Sequence, residues 1–226
     1  MKLIFRLFAS LYLLTLAFGV EAQRFVPHTF SAGIDMPGIV RSIASKDRNM
    51  GELQAATNIA SHMVVLEYGF ENVDRNGDSF DFNTRGSYFR AGIDFTLNPK
   101  NPNGHKIFTG FRYAQSNFKN SIDFESSSET FGNTPVSVSN NNLKGSWLEW
   151  TFGMKINLTD NIGMGYTMRY KFSPDIKGGE TLSSFDLPGY GRARKDTNFG
   201  LSYYIFYKLK FRNTRNTEEE PAEEEQ

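Results

Sequence analysis

Residues 146–158, SWLEWTFGMKINL, decide the fold of this chain, because their side chains alternate between two kinds. The even positions from 148 to 158 carry Leu, Trp, Phe, Met, Ile and Leu. The odd positions from 147 to 157 carry Trp, Glu, Thr, Gly, Lys and Asn. Alternation with a period of two places successive side chains on opposite faces of a strand. The stretch therefore predicts a β-strand with one apolar face and one largely polar face.

The same alternation recurs along the chain and predicts eight strands in all. It is clearest after residue 146, in the segments 162–172 and 199–211. Shorter examples occupy 30–35, 64–71, 88–97 and 107–114, and the weakest example lies at 53–60. Each segment approaches the roughly 9–11 residues that a tilted strand needs to cross a bilayer.

The predicted connections between these strands alternate in length. Three are short, at residues 61–62, 98–105 and 159–161. Four are longer, at 36–52, 72–85, 119–144 and 173–196. An outer-membrane barrel has short periplasmic turns and longer extracellular loops in this order. The spacing therefore favours an all-β, eight-stranded, antiparallel up-and-down transmembrane β-barrel.

The number of bulky apolar side chains decides which face of the barrel points inward. A soluble barrel would turn its apolar face inward around a ligand. The apolar faces carry about 34 bulky residues, whereas the interior of an eight-stranded barrel holds roughly 12 side chains in its packed layers. The apolar face must therefore point to lipid, and the polar face must fill the lumen.

Charges of both signs lie on the predicted polar face. Because an unpaired buried charge is costly, we expect these groups to pair and to plug the lumen structurally. Eight strands leave no aqueous pore. The predicted lumen charges are Glu67, Glu71, Arg90, Asp94, Arg112, Glu149, Lys155, Arg169 and Lys171.

The two ends of the chain differ from the barrel, which we place at residues 23–213. Residues 1–22 have a basic start, an apolar run and a small-residue ending, and this pattern predicts a cleaved signal peptide. Residues 214–226, TRNTEEEPAEEEQ, predict a disordered acidic tail on the periplasmic side. The candidate partner-binding residues are Tyr190, between two glycines in a long loop, and the tail residues Glu218, Glu219, Glu220, Glu223, Glu224 and Glu225.

Residue types that carry chemistry are few. The chain has no Cys, which excludes disulfides, thiolate metal sites and a lipoprotein anchor. Its three His, at positions 28, 62 and 105, fall at the predicted periplasmic rim, far from the long loops. No phosphate-binding loop, dinucleotide fingerprint or nucleic-acid surface is present. We therefore predict no enzyme activity, catalytic residue, metal site or cofactor.

Four segments together resemble a known family. GSYFRAGIDF (86–95), IFTGFRYAQSNF (107–118), WLEWTFGMKI (147–156) and LPGYGR (187–192) are similar to uncharacterised outer-membrane barrels of the Bacteroidota. The resemblance covers most of the mature chain and brings no catalytic residues with it. It implies a barrel that belongs to larger outer-membrane machinery, including the complex that folds other barrels.

The resulting functional prediction is a non-enzymatic outer-membrane barrel. It would act as a structural or accessory subunit, in contact with membrane lipid and with other outer-membrane or periplasmic proteins. The alternatives are a stand-alone binder or adhesin that acts through its surface loops and, less favoured, a lipid-modifying barrel enzyme.

Overall fold

Eight antiparallel strands close into a barrel in the computed structural model, which describes residues 29–44, 47–59, 62–77, 80–99, 101, 104–128, 132–178 and 182–210. Barrel strands that follow one another along the chain pair side by side, the first barrel strand pairs with the last to close the ring, and two further short strands form a separate hairpin. The fold-class prediction is confirmed for this barrel, while residues 1–22 and 214–226 lie outside the described residues. The elements are β1 (Thr29–Asp35), α1 (Met36–Ala44), β2 (Arg48–Ile59), β3 (His62–Asn76), β4 (Phe80–Thr96), β5 (Lys106–Ser128), β6 (Gly132–Asn157), β7 (Ile162–Lys177), β8 (Asp186–Leu187), β9 (Gly191–Arg192) and β10 (Thr197–Lys210).

The apolar face of the barrel points outward, as the residue count predicts. On β6, Trp150 and Phe152 are about half exposed, whereas Glu149 and Thr151, the residues that alternate with them, are completely buried. The same alternation of exposed apolar and buried polar side chains runs around the ring. The wall is therefore an apolar belt around a polar interior, which is the arrangement of a transmembrane barrel.

The two ends of the barrel have different connections. The links after β2, β4 and β6 close one end of the barrel, where Thr29 pairs with Lys210. At the opposite end the links after β3 and β5 are only three residues long, so the predicted alternation of short and long links is wrong there, and it is the strands themselves that run on beyond the ring. Since outer-membrane barrels are short on the periplasmic side and extended on the outer side, we call the end at Thr29 and Lys210 the periplasmic end and the other the extracellular end.

The prediction of a long loop at 119–144 is wrong, because β5 and β6 continue through most of it. The two strands are 23 and 26 residues long. They pair from Ser128↔Gly132 at the tip of the hairpin to Lys106↔Lys155 in the barrel, with one register shift near Asn120. Apolar side chains still meet across the ladder beyond the barrel, with Ile122 opposite Val138 and Phe124 opposite Val136. Such cross-strand pairs stabilise the extension, and β4 flanks β5 on the other side as far as Phe80↔Phe124. In the same way, β3 and β4 extend into the predicted loop 72–85.

The predicted loop 36–52 contains α1 and the first residues of β2. Asp35 ends β1, and its carboxylate accepts a hydrogen bond from the N–H of Gly38 at 2.9 Å, which caps the helix. Ser42 fixes α1 to β2 by donating to the Met50 carbonyl at 2.8 Å and accepting from the Met50 N–H at 2.7 Å. No helix in the described part of the chain is long and apolar enough to cross a membrane.

Candidate functional site in the barrel lumen

The structure places all nine predicted lumen charges on the inner face of the barrel, each of them buried. They come from β3, β4, β5, β6 and β7, and a pair such as Arg169 with Glu67 joins strands on opposite sides of the ring, so the site forms only when the sheet curls round. The alternation of each strand decides the placement, because a shift by one residue would turn these charges to lipid.

Two arginines between carboxylates form the centre of the lumen. Arg169 donates from Nη1 and Nη2 to the two carboxylate oxygens of Glu67, each at 2.9 Å, and from Nη1 to Glu149 at 3.1 Å. Arg90 forms ion pairs with Glu149 at 2.9 Å and with Glu52 at 2.5 Å. These side chains are almost completely buried. Each charge therefore has a partner of opposite sign, as burial requires.

Three members of this cluster were not among the predicted site residues. Glu52 accepts hydrogen bonds from the hydroxyls of Tyr88, at 2.5 Å, and Tyr204. Glu52 was missed because it was assigned to a loop, although it keeps the alternation of Gln54 on the same strand. The two tyrosines stand on the polar faces of predicted strands, and that position was the available signal.

A second ion pair lies nearer the periplasmic end. Arg112 contacts Asp94 at 2.7 Å. Next to it, the ammonium of Lys155 lies 5.9 Å from the ring centre of Phe108 and 5.8 Å from that of Phe206. Large side chains and paired charges thus occupy successive levels of the lumen.

The loop between β7 and β10 enters the barrel from the extracellular end and contacts the charge cluster with its backbone. The carbonyl of Gly189 accepts hydrogen bonds from Arg90 at 2.9 Å and from Lys171 at 2.6 Å. The N–H of Gly189 donates to Glu71 at 2.8 Å. Gly189 has φ +80°, and a Cβ there would meet the Tyr88 ring at 2.6 Å, so only glycine fits this position.

Apolar side chains of the same loop also fill the mouth of the barrel, and we call its described residues 182–196 the plug. Leu187 and Tyr190 are almost completely buried against Trp147, Phe118 and Leu143. The rings of Trp147 and Tyr190 meet edge to face, with centroids 5.7 Å apart. The Tyr190 side chain is 1% exposed and packs across the barrel mouth, so it is not displayed for a partner. The six glutamates of the tail lie outside the described residues.

An ion pair at the barrel rim anchors the small β8–β9 hairpin. Arg75 donates to the two carboxylate oxygens of Asp186 at 2.5 and 2.8 Å. Hydrogen bonding to Asp186 raises the pKa of the Arg75 guanidinium above its ordinary value, which favours its charged form. The plug is therefore held at its rim as well as at its tip.

The chemistry available to this arrangement is structural. Paired guanidinium and carboxylate groups join the walls across the centre of the lumen, but they provide no activated nucleophile. Of the three histidines, His62 and His105 lie at the periplasmic end, and His28 lies outside the described residues. Within the described residues, no group of three or more His, Asp or Glu could hold a metal ion. Absence of enzyme activity stays a prediction.

Three solved structures are similar to the chain at low sequence identity. Ail, the attachment invasion locus protein of Yersinia pestis, is 12% identical, with 81% of this chain and 100% of Ail covered and a TM-score of 0.42. Neisserial surface protein A is 12% identical, with 82% and 96% covered and a TM-score of 0.37. CarO of Acinetobacter baumannii is 12% identical, with 80% and 97% covered and a TM-score of 0.39. Likenesses this distant say nothing about activity.

One family model accounts for most of the sequence. It is described as a domain of unknown function, DUF6048, and it matches residues 20–214. No curated protein sequence matches the chain significantly. The expectation of an uncharacterised family is confirmed, whereas an origin in the Bacteroidota stays an expectation. The chain therefore belongs to the DUF6048 family, whose function is unknown.

Proposed function

We propose that this protein is a non-enzymatic, non-conducting outer-membrane barrel that presents the outer part of the β5–β6 hairpin as a recognition element at the cell surface. The observation that carries the proposal is the contrast between the two halves of the molecule. The lumen is closed by paired charges and by an inserted loop, whereas the hairpin extends well beyond the barrel.

The length of the two strands shows how far the hairpin extends. The last pair between β6 and β7 is Lys144↔Lys177, and β6 begins at Gly132. Twelve residues of strand at about 3.3 Å each give a projection of about 40 Å along the strand. A strand needs only about 9–11 residues to cross the membrane. The extra length therefore has no role in spanning it.

The outer hairpin has the surface of a recognition element. Its described side chains, such as Asp123, Glu125 and Ser137, are mostly polar and exposed. Residues 132–143 of β6 pair with β5 on one side and, within the described chain, with no strand on the other. An open strand edge can accept an additional strand from a partner.

An accessory role in a larger outer-membrane complex is the competing proposal. It would act through the apolar wall and the predicted acidic tail, and the β-barrel assembly machinery is the partner that the family resemblance implies. No contact among the described residues supports that particular partner. The two proposals differ in the segment that they require, and this difference makes them separable.

A pair of matched variants separates the two proposals. In the first, an Asn-Gly turn replaces residues 119–142 and joins Phe118 to Leu143, which face each other across the ladder. In the second, residues 214–226 are removed. The wild-type protein and both variants are crosslinked in intact cells and extracted in mild detergent, and their partners are quantified by mass spectrometry.

Recognition through the hairpin predicts that the first variant stays folded, by its gel mobility before and after boiling, but loses its partner. The tail variant should keep that partner. If the hairpin variant retains all wild-type partners, or if the wild type has none, the proposal is wrong. Loss of partners only in the tail variant would favour the accessory role.

A further inference from the structure

We propose that the extracellular mouth of the barrel holds a binding site for one anionic lipid, which enters through a gap in the barrel wall between α1 and β10. The phosphate of the lipid would contact basic side chains inside the mouth, and its acyl chains would lie against the apolar outer wall. This site goes beyond the proposed recognition role of the hairpin.

The gap exists because β1 is too short to complete the wall. β1 pairs with β10 only over Tyr204–Lys210, although β10 begins at Thr197. On the remaining part of β10, residues 197–203, one edge pairs with β7. The other edge faces no strand among the described residues. The ladder of backbone hydrogen bonds is therefore interrupted in the outer part of the wall.

The helix α1 lies between β2 and the open edge of β10 and contacts both strands. Its start is tied to β10, because the Asp35 carboxylate accepts from the Tyr203 N–H at 3.1 Å. Its later part is tied to β2 through Ser42 and Met50. A helix makes its backbone hydrogen bonds internally, so α1 cannot extend the ladder along β10.

A cavity of about 410 Å³ lies behind the gap. Its lining includes Pro37, Gly38 and Arg41 from α1, residues 199–202 from the open edge of β10, and Lys171 and Tyr190 from the interior. The cavity therefore connects the gap with the plugged lumen.

The cavity has an excess of positive charge. Eight basic and four acidic residues line it. Four of the bases are paired with carboxylates, and Asp35 caps α1. The bases that have no carboxylate within 4 Å among the described residues are Arg41, Lys171, Arg192 and Lys195.

Lys171 is the strongest sign that this charge serves a ligand. Its side chain is buried, yet its ammonium contacts only the carbonyls of Gly189, at 2.6 Å, and Tyr190, at 3.3 Å. Glu149 lies opposite Lys171 across the β6–β7 ladder, but its carboxylate is ion-paired with Arg90 and Arg169, and Lys171 has no direct ion pair of its own among the described residues. A phosphate group in the cavity would give Lys171 a direct charge-assisted contact.

The apolar surroundings favour a lipid over a soluble anion. Phe199 and Leu201, on the open edge of β10, are 79% and 62% exposed, and Ile43 on α1 is 82% exposed. An open, largely apolar groove beside α1 is lined by Ile39, Ile43, Leu53 and Phe70 among others. Lys210 and Ile59 are the periplasmic ends of β10 and β2. A strand crosses the membrane in about 9–11 residues, so this count along either strand puts the gap at the outer boundary of the apolar belt, where lipid headgroups lie.

The test uses the full-length protein in neutral detergent, with native mass spectrometry to count bound lipids. The probes are dimyristoyl phosphatidylglycerol and dimyristoyl phosphatidylcholine, which share acyl chains but differ in net charge. Glycerol phosphate and inorganic phosphate serve as competitors. The test variant is Arg41→Glu with Arg192→Glu, and the matched control is Lys144→Glu with Lys177→Glu, which reverses two exposed bases outside the cavity.

The proposal predicts that one phosphatidylglycerol binds at least about tenfold more tightly than phosphatidylcholine, since charge-assisted contacts with the headgroup are lost with the neutral lipid. The test variant should lose about tenfold or more in affinity for phosphatidylglycerol, while the control stays within about twofold of wild type. Glycerol phosphate and inorganic phosphate should not displace the lipid at equal concentration.

Three results would overturn the proposal. Equal binding of the two lipids would show contact with the apolar wall without recognition of charge. An unchanged affinity in the folded test variant would show that the basic residues do not contact the headgroup. Displacement by inorganic phosphate at the same concentration as the lipid would identify a site for a free anion instead.

Discussion

Replacement of Glu67 by Gln tests whether the central ion pairs hold the barrel together. Glu67 is completely buried and accepts hydrogen bonds from both Nη atoms of Arg169 and from Gln54, all at 2.9 Å. Glutamine keeps the size of the side chain but removes its charge and brings an amide donor toward the guanidinium. Arg169 would keep Glu149, at 3.1 Å, as its principal counter-ion.

The expected cost of Glu67→Gln is about 3 kcal/mol in the free energy of unfolding. Removing one member of a buried ion pair costs about 3–5 kcal/mol, and the remaining carboxylates place this case at the lower end. The matched control is Asp160→Asn, which removes the partner of Lys210 at 3.2 Å in an exposed pair. An exposed pair contributes about 0–1 kcal/mol.

The assay is unfolding by urea in lipid vesicles, followed by tryptophan fluorescence and by gel mobility before boiling. The account predicts that Glu67→Gln unfolds at clearly lower urea than wild type, while Asp160→Asn stays close to wild type. If the two variants lose the same free energy, within about 1 kcal/mol, the lumen charges do not stabilise the fold.

Three further predictions concern the plug, the pore and the wall. Gly189→Ala places a Cβ 2.6 Å from the Tyr88 ring at a positive φ, which should displace the loop that carries Arg192 and Lys195. Trypsin should therefore cut at these two residues faster than in wild type. Gly165→Ala, where the nearest atom is 3.4 Å away, is the control, and equal cutting rates would argue against an ordered plug. Wild-type protein in planar bilayers should show no steady conductance, because the lumen is filled; stable channels would refute closure. Phe152→Arg should cost about 2–4 kcal/mol by urea unfolding in vesicles, since residue 152 faces lipid, whereas Ser137→Arg on the outer hairpin should cost about 0.5 kcal/mol or less. Similar costs at the two positions would contradict the placement of the membrane.

Side-chain alternation made the barrel wall predictable from the sequence. Residues such as Glu149 and Trp150 differ in polarity at adjacent positions, and only one assignment of faces leaves room in the lumen. The nine predicted lumen charges are buried on the inner face in the structure, while their role as a structural plug stays a prediction. The pairing partners were less accessible, because a contact such as Arg169 with Glu67 joins residues that lie 102 positions apart.

The connections were harder to predict, because their structure depends on contacts with the barrel. The outer hairpin pairs through only a few apolar residues among many Ser and Asn, so its alternation is weak in the sequence. The helix α1 is nine residues long and held by its cap at Asp35 and by Ser42. Insertion of Gly189 into the lumen depends on Arg90, Lys171 and Glu71, which come from three different strands.

The orientation of the barrel and the display of the outer hairpin form the central claim, and labelling of single cysteines tests it most directly. Because the chain has no Cys, Ser137→Cys and Asp160→Cys each create a unique thiol, one on the outer hairpin and one in a short turn. A membrane-impermeant maleimide is applied to intact and to permeabilised cells. The account predicts that Ser137→Cys is labelled in intact cells and that Asp160→Cys is labelled only after permeabilisation. Labelling of Asp160→Cys in intact cells, or protection of Ser137→Cys, would contradict it.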